Sequence, residues 1–340
     1  METTLLFCIL SPANLSTMHS ILKYLPGFFL LFAFTSCQKD EDPNLSPVAD
    51  FGTEDAIDRI VLINQSSDPD GDALRSEWKI STGQAVITES GGQVFIRLSQ
   101  KGDEEKITVT LTVTDGRESH SVSKEIVLPA WNWSREHGFG KKITEEKSLD
   151  RNYDWYIDQG NTGPYSSMNC GPACVTMAIR WADPEFSGTV QDARNHYLPV
   201  YSSGLPVPQM VDYLSLHGLS GEGLNFNIET LLRHLRKGQI AIVSLDMYYI
   251  RKAENPQESL DCFYTTSHSD WFHYILIKGF KIIDDTVVLL EVYDPYSLGL
   301  KYEKSGDFLG IDRLYRVSDF TQGQMLPGML LVTARQSSVH

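Results

Sequence analysis

The sequence predicts an all-β sandwich over residues 47–129, followed by an α+β domain over residues 153–337. The first observation behind this is "KITVTLTVTDG", where Ile107, Val109, Leu111 and Val113 alternate with Thr108, Thr110, Thr112 and Thr114. A period of two belongs to a strand with one face in a core and the other in water. The second is that about seven such short runs, punctuated by turn residues, fit between Pro47 and Pro129. The third is a change of period. Helical spacing appears in "CGPACVTMAIRW", "PVPQMVDYLSLHG" and "NIETLLRHLRKG", then gives way to long apolar runs. Helices first and strands later indicate an α+β arrangement. With 340 residues and 41% hydrophobic content, the chain can bury one large core or two moderate ones.

The N-terminus stands apart. Met18 to Cys37, "MHSILKYLPGFFLLFAFTSC", has a weakly basic start with His19 and Lys23, an apolar stretch, then small residues and a cysteine. That order describes a secretory signal rather than a spanning helix. Residues 1–36 are therefore read as a signal peptide, with Met18 as an alternative start. The ending Phe34-Thr35-Ser36-Cys37 resembles a bacterial lipoprotein signal, which implies that Cys37 is acylated and becomes the mature N-terminus. An ordinary secretory peptide with an incidental cysteine is the alternative. Several acyl chains, at about 0.8 kcal/mol per buried methylene, hold a protein durably on a membrane. Residues 37–46, charged and then proline-bearing, read as a flexible tether. Acidic residues just after such a cysteine resemble surface-export signals of some Gram-negative lipoproteins. The expected location is extracytoplasmic, on the outer membrane, as a monomer. A formal net charge of −15 without a basic patch argues against a nucleic-acid partner.

Within residues 47–129 the runs are "PVADFG", "RIVLINQSS", "RSEWKIS", "QAVITES", "QVFIRLS", "KITVTLTVTDG" and "SVSKEIVL". Their number and spacing suggest an immunoglobulin-like sandwich. No cysteine lies between 38 and 169, so an inter-sheet disulfide is absent and Trp78 is the expected core aromatic. The segment "SSDPDGDALRSEW" resembles the polycystic-kidney-disease-type repeat of bacterial extracellular proteins, which implies a spacer or adhesion role. Its carboxylates Asp68, Asp70 and Asp72 suit either a calcium site or, more simply, a turn. Residues 130–152 read as an irregular connector.

In the α+β domain, helices are expected at "PVPQMVDYLSLHG", ending on Gly218, and at "NIETLLRHLRKG", ending on Gly238. Strands follow at "QIAIVSLDMYY", "HYILIKGFKII" and "TVVLLEVYDPY", the last two joined by a hairpin at Asp284-Asp285. In "SSMNCGPACVTMAIRW", Cys174, Met177, Ala178 and Trp181 share one helical stripe. Pro172 fits the first turn, so Cys170 falls at the helix N-terminus. Free backbone N–H groups and the positive dipole end there favour a thiolate. Cys174, one turn further in, reads as a core or disulfide residue. If Cys8 and Cys37 are removed or acylated, Cys170, Cys174 and Cys262 remain, and an oxidising compartment suggests one disulfide and one free thiol.

A thiolate nucleophile needs a base and a group to orient it. Among nine histidines, His273 opens an apolar strand, with His268 in the preceding polar loop as the backup; His217 and His234 lie in helical contexts. A tight hairpin at 284–285 pairs residues whose numbers sum to about 569, which brings Asp294 opposite residue 275, beside His273. A carboxylate there can accept one imidazole N–H and turn the other nitrogen to sulfur. Gln159 offers an amide donor to a developing oxyanion, with the backbone N–H of Cys170 as the second.

The order Gln, Cys, His, Asp resembles the papain-like cysteine peptidases. "NCGPA", "HY" before an apolar run and "GF", and "DPY" look most like the bacteriocin-leader (double-glycine) peptidase domains. The resemblance spans about residues 153–335 and implies a papain-like fold with Cys170 as nucleophile, His273 as base, Asp294 as orienter and Gln159 as oxyanion donor. It implies hydrolysis of a peptide or protein substrate through a thioester, with no cofactor and no metal. Gln159 stands eleven residues before Cys170, a longer spacing than the family's usual one. Three other readings share these residues. One is a transglutaminase-like acyl transferase. A second is a non-catalytic binding module with Trp131, Trp133, Trp155 and Trp271 along a groove. The third is a zinc site using Cys170, Cys174 and a histidine.

Overall fold

Seven strands form between Phe51 and Leu128, one for each alternating run. They are β1 (Phe51–Asp55), β2 (Arg59–Asn64), β3 (Arg75–Ile80), β4 (Ile87–Ser90), β5 (Gln93–Arg97), β6 (Glu105–Thr114) and β7 (Ser119–Leu128). The structure, a computed structural model, describes residues 43–80, 85–196, 205–267, 271–322 and 328–334. The signal segment with Cys8 and Cys37, and the backup His268, lie outside the described residues.

The strands make two antiparallel sheets, β1-β2-β5-β4 and β3-β6-β7. In β6 the alternation is realised: Ile107, Val109, Leu111 and Val113 are buried while the threonines between them are not. Those aliphatics share one core with Phe51, Ile60, Leu62 and Ile96 from the other sheet. Trp78 packs against that core, its ring edge-on to Phe51 at 5.1 Å. In the Asp68 loop, one carboxylate oxygen of Asp68 accepts from the N–H groups of Asp70 (2.8 Å) and Asp72 (3.1 Å), the geometry of a turn cap.

The stretch expected to be an irregular connector is more ordered than that. It holds a one-turn helix, α1 (Trp133–Glu136), capped by Asn132, and a strand, β8 (Ile143–Ser148). Arg135 of α1 is buried and donates to the carbonyls of Ala56 and Ile57 and to the Asp55 carboxylate. Since β8 joins the second large sheet, this arginine ties the two strand systems together, and residues from Leu45 onward form one compact unit.

Helices follow at α2 (Cys170–Ala182), α3 (Val190–Asn195), α4 (Val207–Leu216) and α5 (Ile228–Arg236). The strands are β9 (Leu219–Asn225), β10 (Ile240–Asp246), β11 (Phe272–Ile283), β12 (Val287–Tyr293), β13 (Arg313–Arg316) and β14 (Gly328–Ala334), with α6 (Val317–Phe320) after β13. They form an antiparallel sheet ordered β13-β12-β11-β10-β14-β9, with β8 beside the far half of β11. Gly218 and Gly238 follow α4 and α5 in the left-handed conformation, as helix stops require. The molecule is thus mixed α+β, mostly antiparallel sheet with few helices. Among the described residues no helix is long and apolar enough to cross a membrane.

The hairpin joining β11 to β12 differs from a two-residue turn. Residues 284–286 make the turn, Asp284 and Asp285 both take positive φ, and Ile283 pairs with Val287. A bulge between Ile277 and Gly279 then shifts the register, so that Ile277 pairs with Val292 and Leu276 with Tyr293. The number sum is 570 near the turn and 569 beyond the bulge, and the second value is the one that aligns Asp294 with Ile275. Only glycine fits beside this bulge: a Cβ on Gly279 would stand 2.3 Å from the Lys147 carbonyl oxygen.

Candidate active site

Cys170 is the first residue of α2, with Asn169 as N-cap. The Asn169 side chain does not cap the helix. Its amide N–H donates to the Thr162 hydroxyl (2.8 Å), and its oxygen accepts from Arg194. The helix is apolar nearly all round, because it lies inside the domain rather than on its surface. Cys174, Met177, Ala178 and Trp181 are buried as expected, and so are Val175 and Ile179 from the other sides.

His273 is the second residue of β11 and pairs with Leu245 of β10. Its ring Nε2 lies 2.7 Å from Asp294 Oδ1, and the ring is also hydrogen-bonded to Cys170. With Nε2 engaged by the carboxylate, Nδ1 is the nitrogen left for sulfur. Both groups are buried, His273 at 3% exposure and Asp294 at 0%. Cys170 is itself buried, and the backbone N–H groups of Tyr274 and Gly171 also hydrogen-bond its sulfur.

Charge follows from this geometry. Burial alone raises the Cys170 thiol, but the His273 hydrogen bond and charge outweigh it and hold the pKa below its ordinary value. Burial opposes the His273 imidazolium, yet Asp294 and Cys170 overcome it and raise the ring to about 10. Asp294 is pushed up by burial and down by His273, with a net lowering. The surroundings thus favour a thiolate beside an imidazolium, with a carboxylate behind them.

Asp294 is saturated with donors. Besides His273, its Oδ2 accepts from the hydroxyls of Tyr264 (2.7 Å) and Tyr315 (2.7 Å), and its Oδ1 accepts from the Tyr296 N–H (2.9 Å). Both phenols are held neutral, their pKa values pushed well up by burial and by Asp294 itself. The backbone of Asp294 is clamped too: its N–H donates to Gly310 and its carbonyl accepts from the Tyr156 hydroxyl. Gly310 must be glycine here, since a Cβ would stand 1.9 Å from the Asp294 carbonyl oxygen. Trp271 stacks on the His273 ring at 5.8 Å and 13°, with Tyr296 (5.9 Å) and Tyr264 (6.4 Å) edge-on. Such a surround lowers the local dielectric and strengthens the ion pair.

Gln159 reaches this neighbourhood by folding. Two 3₁₀ turns, Gln159–Asn161 and Ser166–Met168, take up the eleven-residue spacing to Cys170. The Gln159 Nε2 donates to the Ser166 carbonyl (3.0 Å), which ties the two turns together next to the start of α2. Its side chain is 1% exposed, and an amide nitrogen carries a second N–H beyond the one given to Ser166.

The expected disulfide does not form. Cys170, Cys174 and Cys262 are all free and buried. The Cys174 thiol donates to the Tyr274 carbonyl (3.4 Å), and its pKa is driven well up by burial. Cys262 hydrogen-bonds Tyr315, and burial pushes its thiol up to about 12. Of these three described cysteines, only Cys170 has a thiol made more acidic by its surroundings. Among the described residues, no group of three or more His, Cys, Asp and Glu side chains is disposed to hold a metal.

Tyr264, Tyr315, Tyr156 and Gly310 carried no signal in the sequence, because they converge on Asp294 from distant segments. Tyr296 was within reach, since it is the last residue of "DPY". No protein-family model matches this chain, and no curated protein does.

Proposed function

We propose that this chain is a cysteine peptidase of papain-like fold, preceded by an immunoglobulin-like domain and anchored to the outer membrane through an acylated Cys37. The single observation that supports the activity is the His273 ring, hydrogen-bonded to Cys170 on one side and Asp294 on the other. The Cys170 thiolate attacks a peptide carbonyl carbon. Gln159 Nε2–H and the Cys170 backbone N–H face the oxyanion, a contribution of roughly 100- to 1,000-fold per donor. The imidazolium of His273 gives its proton to the departing amine, leaving a Cys170 thioester and a neutral ring. His273 then takes a proton from water, the hydroxyl adds to the thioester, and collapse releases the acid and restores thiolate and imidazolium. The sandwich domain serves as a spacer between membrane and catalytic domain.

The test is labelling by a thiol-reactive peptidyl probe together with turnover of a peptide library. Wild-type protein is expected to be labelled at one cysteine and to cleave, whereas Cys170→Ala does neither. Labelling that persists in Cys170→Ala refutes the assignment. Incorporation of added amine in place of water identifies an acyl transferase instead.

A further inference from the structure

Arg194 is 4% exposed, and among the described residues no carboxylate pairs with it. Residues 197–204, next in the chain, contain no Asp or Glu. A buried charge ordinarily has an opposite charge beside it, because leaving water unpaired is costly. We propose that Arg194 is a positioning residue that holds the two oxyanion donors, the Cys170 N–H and the Gln159 amide, in one frame and places a fixed positive charge near the Cys170 sulfur. This rests on the peptidase reading of the same site.

The frame begins at α3, whose start is fixed by a capping box between Thr189 and Asp192 and whose last turn carries Arg194. The guanidinium Nη2 donates to the Met168 carbonyl (2.7 Å), and Nε donates to the Asn169 side-chain oxygen. These are the two residues before Cys170, so the backbone leading to the Cys170 N–H is held at both. The Asn169 amide extends the link by donating to the Thr162 hydroxyl (2.8 Å), which in turn donates to the Gln159 carbonyl (2.5 Å). The Thr162 N–H donates to the same carbonyl at 3.1 Å. One unbroken set of hydrogen bonds therefore runs from Arg194 to both donor residues. The eleven-residue spacing between Gln159 and Cys170 needs such a brace, because both donors must come within about 2.7–3.1 Å of one oxygen.

Charge supplies the independent observation. Burial works against the guanidinium, and Cys170 is the first group that favours it. Tyr165 comes second, its ring centre 5.5 Å from the guanidinium carbon. The counter-charge that no carboxylate gives Arg194 thus comes from the sulfur, as a thiolate. Lysine cannot fill both roles, since its ammonium is a point charge without the planar fork that reaches Asn169 and Met168 together.

The experiment measures kcat, KM and the pH profile of Cys170 alkylation for the full chain and its Arg194→Lys, Arg194→Gln and Asn169→Asp variants, with thermal unfolding as the control. Arg194→Lys keeps the charge and loosens the frame. It is expected to lower kcat about tenfold or more, with KM within about twofold and the alkylation profile near wild type. Arg194→Gln is expected to lose kcat likewise and also to slow alkylation at pH 7 about threefold to tenfold, a loss regained at alkaline pH. Asn169→Asp gives the guanidinium a carboxylate of its own. It should slow alkylation in the same pH-dependent way, and it carries the test where a variant at 194 fails to fold. A mere brace of the fold would lower turnover and alkylation together, at every pH, in proportion to the unfolded fraction, and that result overturns the inference. So does a wild-type alkylation profile in Arg194→Gln or in Asn169→Asp. Each of these leaves the peptidase standing, whereas a wild-type chain that neither cleaves nor is labelled at Cys170 overturns both.

Discussion

Replacing Asp294 by asparagine is the most informative single change to this site. The side chain keeps its shape and loses its charge. An asparagine has one acceptor oxygen and one donor nitrogen. With the oxygen toward His273 Nε2 and the Tyr296 N–H, the amide nitrogen faces the Tyr264 and Tyr315 hydroxyls, which can rotate to accept. The fold is therefore expected to survive. The imidazolium is not: its pKa is about 10 only because Asp294 and Cys170 outweigh the cost of burial. The rise from the ordinary 6.5 corresponds to about 5 kcal/mol, shared between those two partners. If Asp294 supplies half or more, its loss lowers the ring by about two pKa units, and the equilibrium between the ion pair and the neutral thiol and imidazole shifts about 100-fold towards the neutral pair. The assay is the rate of Cys170 alkylation by a small neutral reagent between pH 5 and pH 10, with thermal unfolding as the control. Wild type should react fast below the ordinary thiol range, because the folded Cys170 is held below its usual pKa. Asp294→Asn should react more slowly at pH 7, by up to about 100-fold, and approach wild type only at alkaline pH. A rate within threefold of wild type at unchanged stability refutes the ion-pair account.

Wild-type peptide turnover should fall on the alkaline side as His273 loses its proton near pH 10, and stability should change over the same range. A raised imidazolium stabilises fully below about 6.5, and this contribution is lost as pH climbs towards 10. Gly310→Ala puts a Cβ 1.9 Å from the Asp294 carbonyl oxygen and 2.5 Å from the Tyr156 hydroxyl. Such overpacking should cost about 1–3 kcal/mol in chemical denaturation, and turnover should drop more than stability does. Gln159→Ala should lower kcat about 100-fold while leaving alkylation of Cys170 by a small reagent near wild type, because oxyanion donors act on the substrate, not on sulfur. Lys278→Met removes a buried ammonium that lies 2.7 Å from Glu291, 2.7 Å from Asp312 and 3.3 Å from Asp150. Since two of those carboxylates are nearly half exposed, the expected loss is about 2–3 kcal/mol at pH 7, measured by denaturant titration and smaller at pH 4.

Much of the site was written locally. The positions of Gly-Pro and of the apolar stripe put Cys170 at a helix tip, because helix starts are set by neighbouring residues. His273 at the head of β11 and Asp294 just past β12 came from hairpin arithmetic, as antiparallel pairing makes residue numbers add to a constant. That arithmetic held only because a longer turn and the bulge before Gly279 displace the register in opposite senses. The bulge is braced by β8 and by the carboxylates around Lys278, Glu291 within the hairpin and Asp312 outside it, and its mark in the sequence is Gly279, a lone glycine inside the strand pattern.

Which thiols stay apart, which tyrosines reach Asp294 and how Gln159 closes its gap depended on contacts between segments far apart in the chain. Tyr315 donates to Asp294 because β13 lies beside β12, and Arg313 fixes the neighbouring loop by donating to the carbonyls of Pro256, Glu258, Leu260, Asp261 and Leu309. Periodicity and capping are properties of a few consecutive residues, so a single chain reveals them. A hydrogen bond between distant residues is specified by packing the whole domain, and only the folded arrangement decides it.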